Sequence, residues 1–291
     1  MRGVVVDGVR ADRTVDAMPT PSTTLPPSSR SIDWDRFDAA RVDPAVIAVV
    51  RATCLLESRS DRYRDHLIGV LPPRYAPGVE QWAEEERHHG RALARWLALA
   101  DPTFEPEAAM ARFAAVPYHD GPRSDRGGPT QELVARCLVE AMASTFYLAL
   151  ADATDEPVLQ QICRRLSEDE RRHFRRFLDW SRATPPMSAP RRFVTVVRRL
   201  LELEDEQISG AAVVARGVDG RPTSARRSAR RDHFVDVYSM HRLRHLDVAQ
   251  AMVWEAIGAR PPAAVRRWLT VGGMMALRVR VACWSLSDLP G

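Results

Sequence analysis

The amino-acid sequence predicts an all-α protein whose central part is a four-helix bundle. Apolar residues recur with helical spacing along most of the 291 residues, and no convincing alternating strand is present. Proline-rich stretches divide the chain into segments of helix length. In the central part, two short connections flank one long connection, which is the order of a bundle with one crossover.

The chain is predicted to contain a tail and one helical domain. Met18 to Ser31 is rich in Pro, Ser and Thr, so residues 1–31 are predicted to be disordered. Residues 32–291 form the helical domain, with the bundle at 44–183 and a helical extension at 190–286.

The elements follow from capping and breaking residues. Asp43 is placed to cap the first helix, Pro44 suits its first position, and Leu71-Pro72-Pro73 ends it. The bundle helices are predicted over 44–70, 77–100, 130–152 and 157–183, with a short helix near 106–114 in the long connection. The extension is predicted to hold helices over 191–215, 231–258 and 262–286, with a basic loop at 216–231.

The bundle helices repeat as a pair. The first and third carry Cys-x-x-Glu, and the second and fourth carry Glu-x-x-His with a Trp ten residues after the Glu. The lone Glu precedes the motif Glu by 29 residues in one pair and by 30 in the other, a match that indicates an internal repeat. The repeated positions are Cys54, Glu57, Glu86, His89 and Trp96 in one pair, and Cys137, Glu140, Glu170, His173 and Trp180 in the other.

This pattern predicts a site for two metal ions. Residues i and i+3 share a helix face, so each Glu-x-x-His points a carboxylate and an imidazole the same way. Four buried carboxylates need cations to balance them, and oxygen with imidazole ligands suits iron or manganese. The predicted ligands are Glu57, Glu86, His89, Glu140, Glu170 and His173.

The second helix offers two frames of the Glu-x-x-His motif, Glu85 with His88 and Glu86 with His89. Alignment with the fourth helix selects Glu86 with His89. Glu85 and Asp169 then occupy equivalent positions, and we expect Asp169 to orient His89 and Glu85 to orient His173.

Composition and sequence motifs argue against several other classes of protein. All 42 basic residues are arginine and 38 acidic residues are interspersed, so a nucleic-acid partner is not expected. No signal peptide or membrane span is predicted, which suggests a cytoplasmic protein. The four cysteines form no Cys-x-x-Cys pair.

These motifs resemble the ferritin-like di-iron carboxylate superfamily, and most closely its acyl-carrier-protein desaturases. The segment from Trp82 to Gly90 is similar to the W-x-x-E-E-x-R-H-G segment of that family, and Glu156 to His173 is similar to its D-P-x-L and D-E-x-R-H segments. The resemblance covers residues 45–183. It implies two iron ions (Fe2+/Fe3+), with manganese or a mixed Mn/Fe centre as alternatives, and an O2-dependent oxidase of desaturase or hydroxylase type.

The resemblance also implies partners. Electrons would come from an external ferredoxin-like donor, because no flavin, rubredoxin or haem motif is visible. The substrate would be a small molecule or a group bound to a carrier protein, enclosed by a monomer or homodimer.

The sequence departs from the desaturases beside the lone Glu of the third helix. Ala143 stands where those enzymes have Thr, and Ser144 resembles the hydroxyl position of bacterial multicomponent di-iron monooxygenases. Ser144, Ala143 and Tyr147 are therefore expected to border a cavity beside the metals, with Cys54 and Cys137 one turn away. The alternatives are a Ser144 hydroxyl that bonds back to the Glu140 carbonyl and cysteines that are small buried hydrophobes.

Competing interpretations remain open. The main alternative function is a ferritin-like ferroxidase or peroxide-detoxifying iron protein, and another is a structural bundle with a vestigial site. In the extension, His241 and His245, with His233 and Glu255, are either a second metal or substrate site or, as we favour, a solvated or inter-helix face. The arginines at 226, 227, 230 and 231 lie in a solvated loop or dock an acidic carrier protein.

Overall fold

The computed structural model describes residues 32–117, 126–202 and 206–286, and every regular element in these ranges is helical. The predicted tail at 1–31 lies outside the described residues. The α-helices are α1 (Pro44–Ser58), α2 (Ser60–Val70), α3 (Ala76–Ala100), α4 (Pro106–Ala114), α5 (Pro129–Ala153), α6 (Pro157–Ala183), α7 (Ala189–Leu201), α8 (Glu206–Ala215), α9 (Thr223–Met240), α10 (Leu243–Ile257) and α11 (Ala263–Leu286). The prediction of an all-α chain is confirmed over these ranges.

Four long helices form the centre of the fold. α1 packs along α3, α5 packs along α6, and α3 meets α6 between the two pairs. Two apolar clusters fill the space between them, one around Trp96 and Tyr147 and the other around Trp82 and Phe177. Burial of these large side chains is the main contribution to the stability of the bundle.

Capping carboxylates begin two of these helices, and the first of them, Asp43, was predicted from the sequence. The Asp43 carboxylate accepts a hydrogen bond from the Ala45 N–H at 2.9 Å, with Pro44 at the first position of α1. The fully buried Glu156 carboxylate caps α6 through the Leu159 N–H at 2.7 Å and also accepts from Trp96 Nε1 at 2.7 Å. The repeated Trp of α3 is thereby joined to the start of α6.

The prediction of one continuous first helix over 44–70 is wrong, because the helix breaks at Arg59 into α1 and α2. The Arg59 side chain is buried and donates to the carbonyls of Phe113 at 2.9 Å, in the last turn of α4, and of Val116 at 3.0 Å, just beyond that helix. Ser60 donates to the Ala83 carbonyl at 3.1 Å. These tertiary bonds fix the two side chains at the break against α3 and the end of α4.

The extension also differs from the prediction. The expected loop at 216–231 is helical from Thr223 onward, because Pro222 precedes a run of Ala, Arg and Ser that favours helix. The predicted helix over 231–258 breaks after Met240, and the one over 191–215 is two helices, α7 and α8.

The extension covers the α1 and α5 side of the bundle. α8 packs on α1, α7 and α10 pack on α5, and α9 contacts both. α11 packs on α9 and α10 as an outer layer. α5 is long and apolar enough to span a membrane, but 67% of its apolar window is buried between these neighbours, as expected of a core helix.

Candidate metal centre

Six side chains from four helices converge inside the bundle. α1 and α5 each contribute one Glu, and α3 and α6 each contribute a Glu and a His one turn apart. Five of them are at most 5% exposed, and the Glu57 side chain is 12% exposed. The structure thus brings together all six residues that the sequence singled out, which are called the centre below: Glu57, Glu86, His89, Glu140, Glu170 and His173.

One half of the centre is built around His89. Its Nδ1 atom lies 3.2 Å from Glu170 Oε1, 3.3 Å from Glu86 Oε2 and 3.7 Å from Glu57 Oε2. One donor atom from each of these four residues lies within 4.8 Å of the others. This spacing can hold a metal ion.

The other half is built around His173 in the same manner. Its Nδ1 atom lies 3.1 Å from Glu170 Oε2, 3.2 Å from Glu86 Oε1 and 3.8 Å from Glu140 Oε2. Glu86 and Glu170 therefore face both histidines, each with one oxygen toward each half. They are placed to bridge two ions, and Glu57 and Glu140 are placed to bind one ion each.

A carboxylate stands behind each histidine. His89 Nε2 donates to Asp169 Oδ2 at 3.2 Å, and His173 Nε2 donates to Glu85 Oε2 at 2.7 Å. These are the two pairings predicted from the repeat. Because each Nε2 carries its proton toward a carboxylate, each Nδ1 faces the centre, and the role in orienting metal ligands stays a prediction.

The buried groups of the centre share protons in the absence of cations. Burial raises the pKa of Glu57 and Glu140 well above the ordinary value, and the negative charge of Glu86 adds to the rise at Glu57. Burial opposes ionisation of His89 and His173, but the surrounding carboxylates outweigh it and raise both pKa values well above the ordinary value. The metal-free centre therefore holds extra protons on these four groups.

The two carboxylates shared by both halves behave in the opposite way. Burial disfavours the charge of Glu86 and Glu170, but the nearby histidine side chains, above all the charge of His173, overcome it. The pKa of Glu170 falls to about 2, and that of Glu86 lies well below its ordinary value. In the absence of cations, two imidazolium groups thus neutralise two carboxylates.

The donor set fits a pair of divalent cations. His89 Nδ1 and Glu170 Oε1 are buried and lack a hydrogen-bond partner, although they lie only 3.2 Å apart. Such unsatisfied buried atoms are costly unless an ion binds them. Their oxygen and imidazole chemistry suits iron or manganese better than a softer metal.

Close packing of α1 on α3 sets the distance between Glu57 and His89. Gly90 follows His89, and a Cβ atom there would lie 2.5 Å from Ser58 Oγ and 3.1 Å from Ser58 N. Glycine is therefore required for the two helices to approach this closely. The Cys54 thiol donates to the Gly90 carbonyl at 3.5 Å across the same contact.

The two halves of the centre have different neighbours. The Tyr147 hydroxyl donates to Glu57 Oε1, whereas Arg136 Nε lies 2.8 Å from Glu140 Oε1. Arg136 lies four residues before Glu140, and the repeat places Thr53 at the matching position before Glu57. The guanidinium of Arg136 also stacks over the Trp82 ring, 4.4 Å from its centroid.

A cavity of about 600 Å³ opens beside the centre. Four carboxylates of the centre line it together with Ala143 and Tyr147, as predicted for the last two. Most of the other walls are apolar, including Leu56, Val139 and Phe146. This volume is within the roughly 300–1,000 Å³ typical of small-molecule sites.

Three residues expected at the cavity do not line it. Ser144 is fully buried and donates to the Ser167 carbonyl on α6 at 2.9 Å, so neither the cavity position nor the bond back to Glu140 is correct. Cys54 and Cys137 point into helix contacts instead, and burial raises the pKa of the Cys54 thiol to about 12. Both cysteines act as small buried hydrophobic residues.

The extension supplies cavity residues for which the sequence left more than one interpretation open. His233, His241 and His245 are at most 6% exposed and line the cavity, so they do not form a solvated face. His245 accepts a hydrogen bond from the Arg242 N–H at 3.1 Å, and this bond caps the start of α10. The other ring nitrogen of His245 donates to Asp152 Oδ2 at 2.7 Å. Glu255 is exposed and lies outside this group. The sequence gives one indication of this group, because three histidines fall within the thirteen residues from His233 to His245.

Comparison with protein-family models and with curated proteins found no match.

Proposed function

We propose that this protein is an O2-dependent di-iron oxidase of desaturase or hydroxylase type, built on a ferritin-like bundle and acting on an organic substrate. The observation that carries the proposal is a centre with two ion positions that opens onto a mostly apolar cavity of about 600 Å³. A reduced pair of iron ions supplies the redox chemistry for O2 activation when bound there.

The cavity favours an oxidase over a ferritin-like ferroxidase or peroxide-detoxifying protein. Oxidation of iron alone requires access for iron and O2 but no large apolar chamber. Here Ala143 leaves space beside Glu140, and the α7–α11 extension covers that space. An organic substrate would be held against the centre and away from bulk water.

The overall reaction needs a second source of electrons. Hydroxylation converts C–H and O2 into C–OH and one water, and desaturation converts CH2–CH2 and O2 into CH=CH and two waters. Either reaction takes up two electrons and two protons beyond those of the substrate. We assign the electrons to an external ferredoxin-like donor, because no other redox group is apparent in the sequence.

The chain's own residues are placed to manage the charge and the protons. Glu86 and Glu170 would bridge the two ions, and Glu57 with His89 and Glu140 with His173 would complete the two positions. Tyr147 holds a hydroxyl proton against Glu57 at the cavity surface, where it can be passed toward the substrate side. Arg136 balances part of the negative charge at Glu140.

The substrate is either a free small molecule or a group carried by an acidic protein. The carrier alternative is supported by Arg226, Arg227 and Arg230, which are exposed on α9. The same helix contributes His233 and Tyr238 to the cavity wall. Docking at these arginines would place the carried group over the extension.

Anaerobic reconstitution with ferrous iron followed by O2 tests the proposal. We expect about two iron ions per chain, oxidation on addition of O2, and O2 consumption that depends on an organic substrate. Glu170→Gln should lose iron, whereas Glu168→Gln, an exposed position on the same helix, should bind iron normally.

Ala143→Phe separates the two functions. Filling the cavity at Ala143 should abolish substrate oxidation while ferrous oxidation continues. Binding of a single ion per chain would contradict the centre. Rapid ferrous oxidation with O2 use that no organic compound alters, in both the wild type and Ala143→Phe, would instead favour the ferroxidase.

A further inference from the structure

The cavity wall formed by the extension carries polar side chains of its own. α9 contributes His233 and Tyr238, and the break between α9 and α10 contributes His241. These three residues are called the distal wall below. None of them belongs to the groups of the described residues that can hold a metal ion, so a different role is needed.

His233 is a buried imidazole without a hydrogen-bond partner. It is 4% exposed, its Nδ1 atom is unsatisfied, and neither ring nitrogen bonds to any residue that the structure describes. Burial and the nearby charge of Arg216 lower its pKa to about 4. The ring is therefore neutral near pH 7 and offers one N–H donor and one acceptor nitrogen.

His241 presents an acceptor to the cavity. Its Nδ1 lies 2.8 Å from the Val237 carbonyl, which can only accept, so the ring proton is on Nδ1. Burial lowers the pKa of His241, and the neutral ring leaves Nε2 as an acceptor. No residue of the described ranges donates to that atom. A ligand with an O–H or N–H group would satisfy it.

The arginines of the cavity are already engaged. Arg136 pairs with Glu140, Arg199 donates to the Glu202 carbonyl at 3.0 Å, and Arg280 stacks on Trp284 with its guanidinium 4.5 Å from the ring centroid. These are the three guanidinium groups among the described lining residues. An uncharged group can bond to His233 and His241 without involving any of these guanidinium groups.

We propose that the distal wall binds an uncharged hydroxyl or amide group at one end of an elongated, mostly apolar substrate, whose body extends toward the centre. The space of about 600 Å³ equals the volume of about 20 water molecules, at roughly 30 Å³ each. The apolar side chains that form most of the remaining lining suit an alkyl or aryl body. This inference rests on the proposed function, because it takes the cavity to be the substrate site.

Binding of matched ten-carbon probes tests the distal wall. Decan-1-ol, its methyl ether and decanoate would compete with an apolar fluorescent dye on the Mn2+-loaded full chain, so that no turnover is required. We expect decan-1-ol to bind more tightly than decanoate. His241→Phe should weaken decan-1-ol about tenfold and leave the ether, which cannot donate, within about twofold.

Matched variants keep the test decisive. His241→Gln retains an acceptor and should keep the preference for the alcohol, and His88→Phe, outside the cavity, should change nothing. If His241→Phe does not fold, His233→Leu should weaken decan-1-ol in its place.

Three results would overturn the inference. They are tighter binding of decanoate, an equal effect of His241→Phe on alcohol and ether, and failure of all three probes to displace the dye. Metal content and O2 consumption of the same wild-type preparation, loaded with Fe2+, report separately on the proposed function.

Discussion

Metal binding to the centre should release an unusual number of protons. In the metal-free protein, Glu57, Glu140, His89 and His173 all have pKa values raised well above the ordinary values. Each must lose a proton to bind an ion. We therefore expect the binding of two divalent ions at about pH 6.5 to release more protons than the ordinary pKa values allow, up to four per chain.

The ordinary pKa values predict a different count. With a histidine pKa of about 6.5 and a glutamate pKa of about 4.3, two histidines would release about one proton together and the glutamates almost none. Release of four protons strengthens the combined binding of both ions by up to about 5 kcal/mol per pH unit, at about 1.4 kcal/mol per proton. Metal affinity should therefore rise steeply from pH 6 to pH 7.

Calorimetric titration with Mn2+ in buffers of different ionisation enthalpy measures this number directly. Glu140→Gln should lower the count by one, provided that it still binds two ions. His88→Ala should leave it unchanged, because His88 bonds to the Glu84 carbonyl outside the centre. A release of about one proton from the wild-type protein would refute the charge arrangement described above.

Three further outcomes follow from the same contacts. Gly90→Ala should push α1 away from α3 and weaken metal binding at least tenfold in a metal titration. The control Gly69→Ala, where no atom lies within 4 Å of the added Cβ, should leave metal binding unchanged. Ser144→Ala should lower the free energy of unfolding in urea by about 1 kcal/mol, because the hydrogen bond to Ser167 is lost, and should leave O2 consumption unchanged. A change in O2 consumption without a change in stability would contradict this expectation. The metal-free protein should lose thermal stability from about pH 7 to about pH 8, because the native state binds more protons than the unfolded state at the four groups with raised pKa values. The lowered pKa values of His233 and His241 act in the opposite sense, but above about pH 7 these two residues have mostly lost their protons in both states. Glu170 acts in the opposite sense, and its contribution is lost only as the pH falls toward about 2, so a stability that rises toward pH 8 without metal would be inconsistent with these pKa directions.

The arrangement of the centre was predictable because it follows from residue spacing within single helices and from the internal repeat. The i, i+3 spacing puts a Glu and a His on one face of each helix, and the repeat indicates which residues meet across the bundle. The same repeat selected His89 over His88 and matched Asp169 with His89. His88 is turned away from the centre, toward the Glu84 carbonyl.

The cavity was not predictable to the same extent, because it depends on tertiary contacts. Ala143 and Ser144 lie three and four residues after Glu140, and helical spacing alone does not decide which one faces open space. The neighbouring helix α6 decides, since the Ser167 carbonyl takes the Ser144 hydroxyl. The break near His241 likewise depends on a bond from Arg242 N–H to His245, which no periodic pattern reveals.

Arg136 makes the two metal positions chemically distinct. An ion at the His173 position must bind Glu140 beside a guanidinium, whereas an ion at the His89 position meets Glu57 beside a neutral tyrosine hydroxyl. We therefore expect the two ions to bind in order, with the His89 position occupied at a lower metal concentration. The second ion would bind after the first has fixed the shared carboxylates of Glu86 and Glu170. In a cell, such an order would let the relative supply of two metals, rather than their intrinsic affinity alone, determine which pair the centre acquires.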